Sequence, residues 1–246
     1  MVESTNASQA RLWLRLGLSI CLVLLGTVIG ASRARADDLN LGGTFTQGIN
    51  MVEFGKQVAD GGGSIDISYL NGVQLAWVYC VDLIDQVPVP VDYTDTLVTH
   101  NGVILSSGAD GAGLTGIGGT PPEGTVNNAG EVAWLLDTYA IGGQGAAQAA
   151  LQAAIWTVIY GANNVYLNTS AYALNSTVVT DYDAYIAAGA GQTASLANLD
   201  WLSPQVKGGT VNQGLVSDPV PDGGVTLMLL GGALVGLETL RRKLRV

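Results

Sequence analysis

The chain has 246 residues, 34 of them glycine, with 10 basic and 20 acidic side chains and a formal net charge of -10. An acidic balance of this kind repels nucleic acid, so no DNA or RNA partner is expected. A single histidine excludes multi-histidine metal sites.

At the N-terminus, Arg11 and Arg15 precede the apolar run Leu16 to Ile29, and "GASRARA" closes at Ala36. This is the order of a secretory signal, with Ala34 and Ala36 placed as in an A-x-A cleavage site, so residues 1–36 are expected to be removed. The apolar run is also shorter than the roughly 20 residues that span a bilayer comfortably. Cleavage takes Cys21 away and leaves Cys80 as the one cysteine of an exported chain. Exported cysteines normally pair, so an odd one asks for an explanation.

Residues 37–216 are enough for one domain with a substantial core. Between Asp37 and Asp222 the only lysines or arginines are Lys56 and Lys207. Such a surface favours basic or amine-bearing partners, or serves solubility outside the cell. From Leu39 to about Val126 the chain reads as strands. "GGGSIDISYLNGVQLAWVYCVDLI" looks like two strands joined at Asn71-Gly72, a strong hairpin signal. "YTDTLVTHNGVIL" continues the strand character across a second Asn-Gly pair at 101 and 102. The pattern then turns helical. "NNAGEVAWLLDTYA" opens with Asn128 three residues before Glu131, a capping-box arrangement. "GAAQAALQAAIWTVIYG" predicts a second helix of about four turns closed by Gly161. A third helix within "SAYALNSTVVTDYDAYIAAGA" and a closing strand in "SLANLDWLSPQVKGGT" complete the domain. The expected class is α+β: an N-terminal antiparallel sheet or sandwich followed by a helical portion.

Residues 217–246 form a second address. Val220, Pro221, Asp222, Gly223 and Gly224 make a turn, Val225 to Leu237 is apolar, and Arg241, Arg242, Lys243 and Arg245 are basic. The turn ends the domain, the apolar stretch can enter a membrane as a helix, and the basic cluster stays on the cytoplasmic side. The tail resembles the PEP-CTERM class of bacterial sorting signals, in its VPDGG-type form. That resemblance implies processing by a membrane exosortase. It also implies transient anchoring in the inner membrane of a Gram-negative-type bacterium, with the cell surface or extracellular matrix as destination. A simple C-terminal anchor is the plainer alternative.

Cys80 lies in Tyr79-Cys80-Val81-Asp82, and the second helix carries Leu151-Gln152-Ala153-Ala154-Ile155-Trp156. The pair of segments resembles the bacterial thioester domains of surface adhesins over roughly residues 60–160. The resemblance implies an internal bond between the Cys80 sulfur and the Gln152 acyl group, open to attack by a target amine, with the thioester at the junction of the sheet and helical portions. Such a bond is single-use, so a covalent binder without cofactor is expected rather than an enzyme. The site needs an apolar wall against water, for which Trp77, Tyr79, Ile155 and Trp156 are available. Asp82 is placed to bond nearby backbone or orient the incoming amine.

Plainer readings of the same residues stay open. A lone cysteine on a strand is commonly core filling, and Gln144, Gln148 and Gln152, spaced by four, could form a polar stripe facing water. The protein would then be a structural matrix component with an inert buried cysteine. His100 leaves Cys80 with one conceivable Cys-His partner. Asp82, Asp85, Asp92 and Asp95 lack calcium-loop spacing. "GGGSID" and "GIGGT" lack the Lys-Ser/Thr of a phosphate loop.

Overall fold

Valine, threonine and tyrosine interrupted by glycine favour extended chain up to residue 126, and extended chain forms there. The computed structural model describes residues 37–43, 45, 47–107, 113–119, 122–142, 145–206, 210–220, 231–234, 237 and 241. The first strands are β1 (Asp37–Leu41), β2 (Gln47–Glu53), β3 (Lys56–Gly62), β4 (Tyr69–Leu70) and β5 (Val73–Gln74). They are followed by β6 (Val78–Cys80), β7 (Val91–Thr99), β8 (Val103–Leu105), β9 (Leu114–Gly118) and β10 (Glu123–Val126). Helices α1 (Ala129–Tyr139) and α2 (Ala146–Tyr160) come next, then β11 (Val165–Leu167) and α3 (Thr177–Gly189). Three more strands, β12 (Asp200–Val206), β13 (Thr210–Val211) and β14 (Leu215–Ser217), end the series.

The α+β class holds, but its segregation into strands first and helices second does not. The main sheet runs β5-β4-β1-β7-β12-β14-β6, with β13 also paired to β12. Strands from both ends of the domain are thus interleaved. Trp201 and Leu202 of β12 face Thr99 and Val98 of β7 on one side and Val216 and Leu215 of β14 on the other. The expected closing strand is therefore central. Its residues explain why: Trp201, Leu202 and Ser203 are all fully buried, which suits a strand covered on both faces. Two smaller sheets, β8-β10-β9 and β11-β2-β3, flank it in the chain's connectivity.

The turn signals divide in their outcome. Asn71 and Gly72 adopt φ 52° and 78° and close β4 onto β5, with Leu70 opposite Val73. Positive φ at both central residues is what a tight hairpin of this twist requires. However, the hairpin's second strand stops at Gln74, and the cysteine strand β6 pairs elsewhere, with β14. At Asn101-Gly102 the chain does turn, with φ 81° at Gly102, but no hairpin forms. β7 pairs with β1 and β12, whereas β8 pairs with β10, so this turn moves the chain between sheets.

Helix α1 starts where expected, without the capping box. Asn128 sits in the left-handed region, and its side-chain amide donates to Val158 O of α2 at 2.8 Å. Its backbone carbonyl still receives Glu131 N and Val132 N. Tying two helices together has displaced the local cap. Helix α2 ends at Gly161, φ 83°, and every residue from Gln148 to Tyr160 is buried. A helix covered all round belongs in the middle of a core.

That position demands a close approach to β3. A Cβ on Gly62 would lie 2.6 Å from Ile49 Cγ2 and 3.1 Å from Ala149 Cβ of α2. Gly62→Val is therefore expected to destabilise the domain by about 1–3 kcal/mol, the usual cost of overpacking, as read by urea unfolding. Gly118→Val in β9, where a Cβ meets nothing within 4 Å and the backbone is not left-handed, serves as the comparison without overpacking.

Candidate functional site

Cys80 is the last residue of β6, the end strand of the main sheet. On its inner side β6 pairs with β14, and Val81 N reaches Gly214 O at 2.9 Å. Among the described residues its outer side has no strand neighbour, so each buried polar group there needs another partner. Val78 is served by the preceding loop: its N–H donates to Ser64 Oγ at 2.9 Å, and its carbonyl accepts Ile65 N at 2.8 Å. Cys80 is served by one side chain. Its N–H donates to Gln152 Oε1 at 2.9 Å, and Gln152 Nε2 donates to Cys80 O at 2.8 Å. Gln152 is 0% exposed and Cys80 3%, so the pairing is made without competing water.

Residues 80 and 152 are thus neighbours in space. The contact made is a double hydrogen bond from a carboxamide to a backbone. Gln148, one turn earlier on the same face, is also buried and accepts the Tyr79 hydroxyl. It holds the end of α1 as well, taking Ile141 N and donating to Tyr139 O. A water-facing glutamine stripe is thereby overturned for Gln148 and Gln152, because β6 offers them unpaired polar groups. Gln144 lies outside the described residues.

The four supporting residues have separate places. Trp156, four residues after Gln152, lines a cavity that also reaches Cys80. Tyr79 and Ile155 are fully buried in the core, with Trp77 against Tyr79 at 5.8 Å between ring centres. Asp82 is 3% exposed: its Oδ1 accepts Ile84 N at 2.7 Å and the Tyr160 hydroxyl at 3.4 Å. His100 lies instead against Asp200, 3.1 Å from Nδ1 to Oδ1. Of the sorting signal, Val220 is described, and its N–H donates to Asp200 Oδ2 at 3.0 Å. Arg241 is described as helical and exposed. Residues 1–36, Pro221, Asp222, Gly223, Gly224, Arg242 and Lys243 lie outside the described residues. Among those described, no helix is long and apolar enough to cross a membrane.

Burial governs the electrostatics. It pushes the Cys80 thiol well above its ordinary value, and the nearby Asp82 and Asp60 charges add to the effect. The thiol is therefore protonated at neutral pH and needs a base before it can attack. Asp82 is raised to about 7, chiefly by burial and further by Asp85, against a lowering bond from Ile84 N. Glu53 is also raised to about 7, by burial first and then by Asp60.

The cavity of about 250 Å³ beside Cys80 collects carboxylates from three segments: Glu53 of β2, Asp60 of β3 and Asp85 after β6. Glu53 and Asp60 escape a search for motifs because neither belongs to one. A signal was nonetheless present. Alternation from the buried Ile49 and Met51 puts Glu53 on the same inward side of the hairpin, and the β2-β3 register brings Val58 and Asp60 to that side. Among the described residues no cluster of three or more groups is able to hold a metal ion.

Comparison with protein-family models, curated proteins and solved structures finds no match to this chain.

Two outcomes follow from this geometry. Gln152→Ala leaves both Cys80 backbone groups buried and unpaired and is expected to cost about 2–5 kcal/mol in urea unfolding. Cys80→Ala keeps those groups and their partner, so its cost should be clearly smaller. For pH, Asp82 and Glu53 have folded values near 7 against reference values of 3.8 and 4.5. The folded state binds more protons between those limits, so stability falls as pH rises from about 4 to 7 and levels off above. Thermal unfolding across that window should show the decline, and Asp82→Asn should flatten it.

Proposed function

We propose that this protein is an exported, surface-sorted covalent binder, in which a thioester between Cys80 and Gln152 is opened by an amine on the target. What supports this is the Gln152 carboxamide held against Cys80 by bonds of 2.9 and 2.8 Å. The chemistry then has its parts at hand. The Asp82 carboxylate takes the Sγ proton, sulfur adds to Gln152 Cδ, and the carbon–nitrogen bond breaks as the nitrogen regains a proton and leaves as ammonia. Negative charge grows on Oε1 during addition, where the Cys80 N–H already donates. An acid titrating near neutrality is suited to accept and return that proton.

Attack by an amine forms an amide to Gln152 and frees the Cys80 thiol, so each molecule acts once. The target is an amine-bearing component of a cell surface or extracellular matrix. Delivery rests on the signal at residues 1–36 and the tail from Val220 to Val246, with exosortase as the processing partner and the membrane as a temporary anchor.

A second reading, a structural matrix protein with an inert cysteine, is favoured by one specific observation. Both polar atoms of the Gln152 amide are already satisfied, and the neighbouring thiol is held protonated.

Intact mass spectrometry separates the two. The thioester gives a mass short by one ammonia and no thiol labelling under denaturing conditions until methylamine is added, after which one methylamide appears on Gln152. Full mass with a free thiol and no adduct would establish the structural reading.

A further inference from the structure

Strand β3 forms one edge of the three-stranded sheet β11-β2-β3. Bonds on the far side of β2 show which way its backbone groups point. Phe54 N donates to Asn164 O at 2.7 Å, Asn168 N to Asn50 O at 2.8 Å, and Asn50 N to the Tyr172 hydroxyl at 2.9 Å. Even-numbered residues thus turn away from β3, and the odd-numbered residues of β2 bond to it, opposite Lys56, Val58, Asp60 and Gly62. The N–H and carbonyl groups of Gln57, Ala59 and Gly61 are left on the outer side, where they have no partner among the described residues. Gln57 and Ala59 are exposed. Open edges of this kind are usually blunted by a proline, a bulge or a charge. β3 has no proline, and its pairing with β2 is unbroken from Lys56 to Gly62.

Its charges are Lys56 and Asp60, which lie on the same face of the strand. Lys56 is exposed and in no ion pair among the described residues. Asp60 is half-buried, shares a hydrogen bond with Glu53, and has no cation among the described residues either. We propose that β3 pairs antiparallel with β3 of a second copy about a two-fold axis at Val58, with Lys56 of each copy opposite Asp60 of the other. Backbone geometry and charge both select this register. Outward-facing residues must meet outward-facing residues, and here Gln57 meets Ala59 on each side of the axis, so that each pair exchanges N–H and carbonyl in both directions. Sliding the partner by two residues keeps that backbone match but sets Lys56 against Gly62 and Asp60 against Val58. Opposite charges directly across a strand pair are favourable, and the slipped register forgoes them.

The charges that would turn away a strand without matching ones therefore admit a second copy. At the axis Val58 meets its own counterpart, an apolar pair of β-branched residues. The ends of the strand fit the same register. Phe54, 51% exposed, has φ 49°, a left-handed backbone that a bulky residue seldom adopts. Pairing brings it to the end of the other strand, where Phe45 covers Gly61. A contact of β3 with β3 closes on itself, giving a dimer rather than a fibre. For a covalent binder, two copies on one body bring the second attachment to a raised effective concentration. The pairing itself does not depend on the thioester.

Cysteine trapping on the full chain tests the pairing, with Cys21 and Cys80 replaced by alanine so that one introduced thiol remains. Residues that face each other without exchanging backbone bonds lie close enough for a disulfide. In a glutathione buffer, Val58→Cys is expected to form disulfide-linked dimer, read by intact mass, about tenfold faster than Gln57→Cys or Ala59→Cys. Adding Lys56→Glu to Val58→Cys should slow trapping by about threefold or more at low salt. Salt at about 1 M should remove most of that difference. Fastest trapping at position 57 or 59 would reveal another register and overturn the Lys56-Asp60 pairing, as would trapping at 58 that Lys56→Glu leaves unchanged. Equal trapping at all three positions, or none, would overturn β3 as the interface. Sedimentation of the chain with its native cysteines, in mild detergent, reads the pairing without the trap. A dimer that forms at high concentration and is weakened by Lys56→Glu supports it, and a monomer throughout overturns it.

Discussion

Strand β6 ends the main sheet, and the polar groups along its outer side must be paired where no water reaches. The Gln152 carboxamide meets that requirement for Cys80, with a donor and an acceptor spaced as on a neighbouring strand. This fixes more than one residue. Gln152 lies in the middle of α2, which is buried along its length and packs against α1, α3, β2, β3 and β11. The two bonds therefore set the height and rotation of the central helix against the sheet. Gln148 repeats the arrangement one turn away through Tyr79. The Cys80 backbone, the Gln152 carboxamide and the Tyr79–Gln148 contact are brought together as a by-product of closing a sheet edge.

The same location concentrates acid groups that a core would ordinarily exclude. Ionised carboxylates are costly to bury, and two of these, Glu53 and Asp82, answer by holding their protons to higher pH. Neither gains a buried cation in return among the described residues. Groups kept in this state are better suited to moving protons than to adding stability, and such groups gather at functional sites. The acidic surface and the acidic cavity have different causes: one is exposed charge, the other a set of inward-facing positions on β2, β3 and the turn after β6.

Local signals were legible where the chain itself supplies the reason. Asn71-Gly72 makes its hairpin because only such residues take positive φ without strain. Helix α2 runs from Ala146 to Tyr160 and stops at Gly161, as its alanine content and terminal glycine predict. Asn128 shows the limit: the residue is a good cap, but a carbonyl on α2 claims its side chain. Asn101-Gly102 shows it again, since a turn says nothing about which strand the next segment will pair with.

The sequence by itself determined the α+β class, the third helix and the tight turn at 71 and 72. Each rests on nearest-neighbour chemistry or on a spaced pattern of residue types. Only the tertiary structure decided that β12 and β14 lie inside the main sheet, that Cys80 ends an edge strand, and that Glu53, Asp60 and Asp85 meet beside it. Strand pairing joins segments more than 100 residues apart, and the energies that choose among partners come from burial on both faces of a strand. No local pattern carries that choice, which is why the acidic cavity came into view only once the strands were in place.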